Sequence, residues 1–194
     1  MGTLGGGIVT QFYAIRGKRI DAQLQRDHRA EERLALAHKE TIDEKRAAYA
    51  ALNASAHYFR TTARRYLAEK DSANAAPEKF ATAWEALRDS YARAQMVLSD
   101  RALDIASEVN RCIEEGHQAA LDIETNETEQ VAALDHYLDD TLGFAVRLLR
   151  RALREDLGIQ PPSDVDLDER LEMLEGMRRR QFGRRGYRDT QEHP

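Results

Sequence analysis

From Thr41 to Lys70 the chain reads TIDEKRAAYAALNASAHYFRTTARRYLAEK, and its apolar residues fall at Ile42, Tyr49, Leu52, Ala56, Phe59, Ala63 and Tyr66. Spacing in threes and fours puts these side chains on one face of an α-helix. A helix with such a face owes most of its stability to partners that cover it. Two later segments carry matching stripes. The first is Phe80, Trp84, Leu87, Tyr91, Ala94, Leu98, Ala102, Ile105, Val109, Cys112 and Gly116, with steps of 4,3,4,3,4,4,3,4,3,4. Its one repeated step of four is a stutter, expected to relax any supercoil while keeping the stripe on one side. The second is Val131, Leu134, Leu138, Leu142, Ala145, Leu149 and Ala152.

These three stripes call for an all-α fold. Charged residues make up 32% of the 194 and aromatics 7%, with a mean hydropathy of -0.67, which suits long solvent-rich helices. Glycine and proline sit mostly at the two ends and in one linker. The boundaries follow from local signals. Asp71 to Pro77 is a turn, with Ser72 and Asn74 as caps and Pro77 in the first turn of the next helix, where its missing N–H is no loss. Asn126 and Glu129 have capping-box spacing. Gly158 is placed for a left-handed cap with Ile159 covering it, and Pro161–Pro162 stops continuation.

The expected organisation is an apolar Gly-rich tip over 1–15 and a long-helix region over 16–157, with helices at about 8–70, 77–122 and 127–157. A linker over 158–163, a short acidic-to-basic helix over 164–182 and an Arg-rich tail over 183–194 complete the chain. At about 1.5 Å per residue the three long helices span about 95, 70 and 45 Å. Short connections make consecutive helices antiparallel. The expected architecture is therefore an elongated antiparallel three- to four-helix bundle or coiled coil. Its second helix covers the first only to about residue 25, so the N-terminal turns project.

The N-terminus, MGTLGGGIVTQFYAI, places Ile8, Val9, Phe12, Tyr13 and Ile15 in a band too short to span a bilayer, followed by Arg16, Lys18 and Arg19. An apolar band followed by cations fits a membrane interface or a partner surface. No basic region precedes the band and no small-residue cleavage site follows it, so a secretory signal is not expected. Arg16 to Arg46 holds nine basic and seven acidic residues at spacings that allow i,i+4 pairs, over a thin stripe of Ile20, Leu24, Leu34 and Ile42. A solvated helix is the simplest reading of this stretch.

Few residues point to chemistry. Glu114 and His117 have the Glu-x-x-His spacing of di-iron bundles, but His136 and His57 lack the second glutamate such a site needs. Cys112, the only cysteine, falls on the stripe and is expected to be a buried, unreactive thiol; one cysteine also excludes an intramolecular disulfide and suits a reducing compartment. Asn53 and His57, on the side of Arg60 and Arg64, form a polar edge suited to an anionic ligand or simply to solvent. No phosphate loop, nucleophile elbow or zinc motif is present. The net charge of -5 gives no global attraction to nucleic acid. Locally, Asp164–Met177 carries six acids and one arginine, whereas Arg178, Arg179, Arg180, Arg184, Arg185 and Arg188 form an acid-free cluster with Phe182 and Tyr187. That composition resembles RNA- or single-strand-binding tails, and part of it suits a helix C-terminus.

The Gly-rich apolar start, the charged helix and the stretch Lys45-Arg46-Ala47-Ala48-Tyr49 resemble a loose group of small bacterial long-helix proteins with no assigned activity. The resemblance covers about the first 70 residues and implies no functional residues. The expected function is that of a non-enzymatic cytoplasmic scaffold or adaptor, self-associating or bound to another helical protein, and peripheral to a membrane through residues 8–19. No catalytic, metal or cofactor residue is assigned. The alternatives are a metal- or ligand-binding bundle and nucleic-acid binding through the arginine tail.

Overall fold

A computed structural model describes residues 6–70, 72, 76–123, 128–159 and 166–182, with the side chains of 6–24, 26, 27 and 30 excepted. The fold is all-helical, with no strand among the described residues. Helix α1 is Gly6–Glu69, α2 Pro77–Gln95, α3 Asp100–Asp122, α4 Thr128–His136, α5 Leu142–Asp156 and α6 Leu167–Phe182; a single π-helical turn, Tyr137–Thr141, joins α4 to α5. The chain divides into two units, Met1–Glu44 and Lys45–Pro194, so α1 contributes to both.

The buried core lies in the second unit. From α1 it takes Tyr49, Leu52, Ala56, Phe59 and Ala63, and it ends on Leu67; Tyr66, expected on the stripe, instead stacks half-buried on Phe80 at 4.6 Å. Helix α3 is buried on two sides. Ile105, Val109, Cys112 and Gly116 continue the expected stripe, while Ala106, Ile113 and Ala120 widen the buried face on one side of it and Glu108 on the other. Both are needed because α5 and α6 each pack against α3. In the first unit, the described side chains of 31–44 are exposed, with only Ile42 intermediate.

The single helix expected over 77–122 is two helices. The chain leaves α2 after Gln95, passes the exposed Met96, and re-enters at Asp100 behind Ser99, whose hydroxyl faces the Ala102 N–H at 3.5 Å. This break falls inside the Ala94–Leu98–Ala102 stutter. A step of four overshoots a full turn by about 40°, so two in succession carry the stripe about 80° round, and a break resets it. The third helix, expected over 127–157, departs in the same way. Its Leu134–Leu138–Leu142 steps are also two fours, and there the structure inserts the π turn, in which the Leu142 N–H donates to the Tyr137 carbonyl.

Several caps follow expectation. Pro77 opens α2. Gly158 is left-handed at φ +67°, with its N–H on the Glu155 carbonyl and the Ile159 N–H on the Arg154 carbonyl, a Schellman ending. Ile159 does not cover that ending; it is exposed. Ser72 closes α1 by donating to the Glu69 carbonyl at 2.9 Å. The last helix begins at Leu167 behind Asp166, whose carboxylate accepts the Asp168 N–H at 2.9 Å. The expected cap residues Asn74 and Asn126 lie outside the described residues, as do 160–165.

Asp156, at the end of α5, gathers three segments. Its carboxylate accepts from the Tyr49 hydroxyl and lies 3.0 Å from Lys45 Nζ, both on α1, and it accepts from the Ser99 N–H at 3.4 Å. Burial raises its carboxyl pKa, but these hydrogen bonds outweigh burial and hold it below the ordinary value. A depressed carboxyl stabilises the fold above its unfolded value of about 3.9, and that stabilisation is lost as pH falls through the folded value. Asp156→Asn is therefore expected to cost about 1–3 kcal/mol at neutral pH. The gap to wild type should close in urea titrations below about pH 4. Gly176 offers the opposite case. A Cβ there meets nothing within 4 Å, so Gly176→Ala is expected to stabilise by about 0.5–1 kcal/mol, read as a higher urea midpoint at unchanged slope.

Candidate functional site

A polar seam between α1 and the α4–α5 segment holds Arg60, Arg64 and Arg150. A π turn leaves carbonyls poorly matched to the regular ladder, and Arg60 supplies donors to two of them. Its Nε donates to the Leu138 carbonyl and its Nη2 to the Asp139 carbonyl, each at 3.0 Å, and Nη2 also meets the Asp139 carboxylate at 2.5 Å. One turn on, Arg64 donates to Asp135 at 3.1 Å and to Asp139 at 2.7 Å. Gly143 makes room for this arrangement: a Cβ there would stand 3.2 Å from Arg60 Nη2 and 3.4 Å from Arg147 Nη1. Further along, Arg150 Nε donates to Asn53 Oδ1 at 3.2 Å. Of the edge formed by Asn53, His57, Arg60 and Arg64, all but the exposed His57 are thus knitted to the α4–α5 segment, with Arg60 and Arg64 neutralised by Asp135 and Asp139. Beside it, a groove of about 590 Å³ between α1 and α4 is floored by Leu67 and Val131 and open to solvent.

His117 and Glu114 go separate ways. Glu114 is exposed and accepts from Asn110 at 2.8 Å. His117 turns inward, stacking on Trp84 at 4.3 Å and 8° and touching Phe80 and Phe59. Burial lowers its pKa, so the imidazole is neutral at pH 7 and serves as a fifth ring in an aromatic cluster with Tyr66. Among the described residues, no group of three or more His, Cys, Asp or Glu side chains is placed to hold a metal ion. Cys112 is fully buried, and burial pushes its thiol up to about 12, as expected of an inert core cysteine.

The arginine cluster at the C-terminus is divided by the fold. Arg178 lies inside it, its Nε on Glu108 Oε1 at 2.6 Å and its Nη1 on Glu115 Oε1 at 2.7 Å. Glu108 is only 3% exposed. Arg178 therefore clamps α6 to α3. Arg179 pairs with Glu175 on the surface of α6 and Arg180 is exposed; Arg184, Arg185 and Arg188 lie outside the described residues. For Ile8, Val9, Phe12, Tyr13, Ile15, Arg16, Lys18 and Arg19 the structure gives helical backbone within α1, and their side chains lie outside the description. Sequence reasoning missed Glu108 and Arg178 as a pair. The only available signal was an acid at the edge of the α3 stripe, one position before Val109.

No family model, curated protein or solved structure matches this chain.

Removing one partner of a buried ion pair strands the other, at a typical cost of about 3–5 kcal/mol. Arg178→Ala is expected to reach the lower end of that range, because it leaves buried Glu108 with only the 3.5 Å contact to Arg111, whereas Arg179→Ala and Arg180→Ala should each stay within about 0.5 kcal/mol of wild type. Denaturant midpoints of the three variants decide the matter. Equal small losses would mean that the clamp does not hold α6.

Proposed function

We propose that the chain is a non-enzymatic helical scaffold or adaptor that acts by protein–protein contact, either as a homo-oligomer or against another helical protein. The observation that carries this reading is the exposed stretch of α1 in the first unit. Leu34 is 71% and Leu36 57% exposed, and every described side chain from Glu31 to Thr41 faces solvent. Helix propensity alone gives marginal stability in water, and i,i+4 pairs such as His28–Glu32 add only a few tenths of a kcal/mol each. A partner over this stretch supplies the cover that the described residues do not. On the same reading the second unit is an antiparallel bundle that serves as a rigid base.

The proposal includes a cytoplasmic protein that is peripheral to a membrane through residues 8–19, and this part rests on the sequence alone. No described helix is long and apolar enough to cross a membrane.

Hydrogen exchange with light scattering tests the reading. Amides of 31–44 are expected to be protected, and the mass to exceed one chain, at micromolar concentration. Leu34→Lys with Leu36→Lys should abolish both effects while leaving protection of the core at 49–67 unchanged. Unprotected amides in a monomeric wild type, in the presence and absence of cell extract, would sink it.

A further inference from the structure

The exposed edge of α5 carries a second surface, independent of the first. Arg147, Arg150 and Arg154 follow one another at i, i+3 and i+7, so they share one face of the helix over about 10 Å. All three are exposed. Among the described residues no carboxylate lies within ion-pair reach of any of them; the single polar partner given to the group is Asn53, which accepts from Arg150. Neighbouring carboxylates are already engaged. Asp139 is held by Arg60 and Arg64, Glu155 by Arg151 at 3.1 Å, and Asp140 lies 2.9 Å from His136. The helix dipole accounts for a cation in the last turn, Arg154, but not for Arg147 in the middle of α5. A chain of net charge -5 therefore leaves a row of three uncompensated guanidinium groups on one edge.

The shape beside this row narrows the partner. The row lies on an exposed helix face and not in a pocket. Across the seam, α1 presents the small exposed residues Ala50 and Ala54, which let a neighbouring helix approach closely. Single-stranded nucleic acid would need rings on which to stack. The exposed ring of this part of α1, Tyr58, instead lines a separate pocket toward α2 with Thr62, Tyr66 and Lys79. Guanidinium groups repeating at helical steps match carboxylates that repeat at the same steps, each pair able to close bidentately.

We propose that the Arg147–Arg150–Arg154 row, with Ala50 and Ala54 of α1 beside it, docks an acidic α-helix of a partner protein whose carboxylates repeat at i, i+3 and i+7. The contact works through charge and close helix approach, so it is salt-sensitive and fast to form.

The test uses the full chain and a fluorescent Ala-rich helical peptide carrying glutamates at i, i+3 and i+7, read by anisotropy. The charge-reversal triple Arg147→Glu, Arg150→Glu, Arg154→Glu changes only exposed side chains, and its circular dichroism and urea midpoint check the fold. Expected are saturable binding, a loss of about tenfold or more in the triple variant, and loss of binding between about 20 and 200 mM salt. A matched reversal of the exposed Arg29, Arg33 and Arg88 should leave binding unchanged. The proposal is overturned if the peptide does not bind, or if both reversals weaken it equally. It is also overturned if a scrambled peptide of the same charge binds as well, or if single-stranded DNA or phosphatidylserine vesicles bind more tightly through the same three arginines.

Discussion

Tyr137 ties several parts of this fold together. Its ring occupies the space over Gly116, where an added Cβ would come within 3.2 Å of it, and its hydroxyl donates to the Cys112 carbonyl at 2.9 Å. Burial drives its pKa upward, so the hydroxyl remains a donor at any physiological pH. Phe182 meets the same ring edge-on at 4.8 Å, which seats the end of α6. With Tyr137 held against α3, the π turn that begins at this residue is held too. The carbonyls of Leu138 and Asp139 are thereby presented to Arg60, and α1 is tied in. One large buried ring thus connects α3, α6, the π turn and α1, and a glycine on α3 is what admits it.

The stripes of the sequence were enough to make the fold all-helical, because burial of a continuous apolar face is a local signal with a fixed period. They carried a finer signal as well. The two places where the stripe takes consecutive steps of four, Ala94–Leu98–Ala102 and Leu134–Leu138–Leu142, are the places where regular helix fails inside the helices expected over 77–122 and 127–157. In the first the phase error is relieved by leaving the helix at an exposed methionine and restarting behind a serine. In the second Tyr137, Leu138, Thr141 and Leu142 are all buried, so the chain stays helical and absorbs the error as a wider turn. The same arithmetic gives two outcomes because one site has a capping residue and the other has core on either side.

What was not legible are the cross-helix polar contacts. Tyr49 with Asp156, Arg60 with Asp139 and Arg178 with Glu108 each join residues about 70 to 107 positions apart. Nothing in composition or period selects Glu108 among the acids of α3. Its burial arises because α3 is covered on two sides, and the second cover, α6, has a weak stripe of its own. The described arginines of the C-terminal cluster look alike in sequence, yet geometry gives Arg178 to a half-buried ion pair and Arg180 to solvent.

That division bears on what a charged helix tells us about function. In α6 the acids Asp168 and Glu169 sit in the first turn and Arg179 and Arg180 in the last, the order the helix dipole favours, and Arg178 answers two carboxylates of α3. Such charges are accounted for by the fold, so they make poor candidates for a binding surface. Arg147, Arg150 and Arg154 of α5 differ because the described carboxylates around them are taken by other partners. The useful question about a charge run is therefore not its sign or density but which of its members the fold leaves uncompensated. Among the described residues that question directs attention away from Arg178 and Arg179 and toward the middle of α5, where the sequence shows only a leucine-arginine helix.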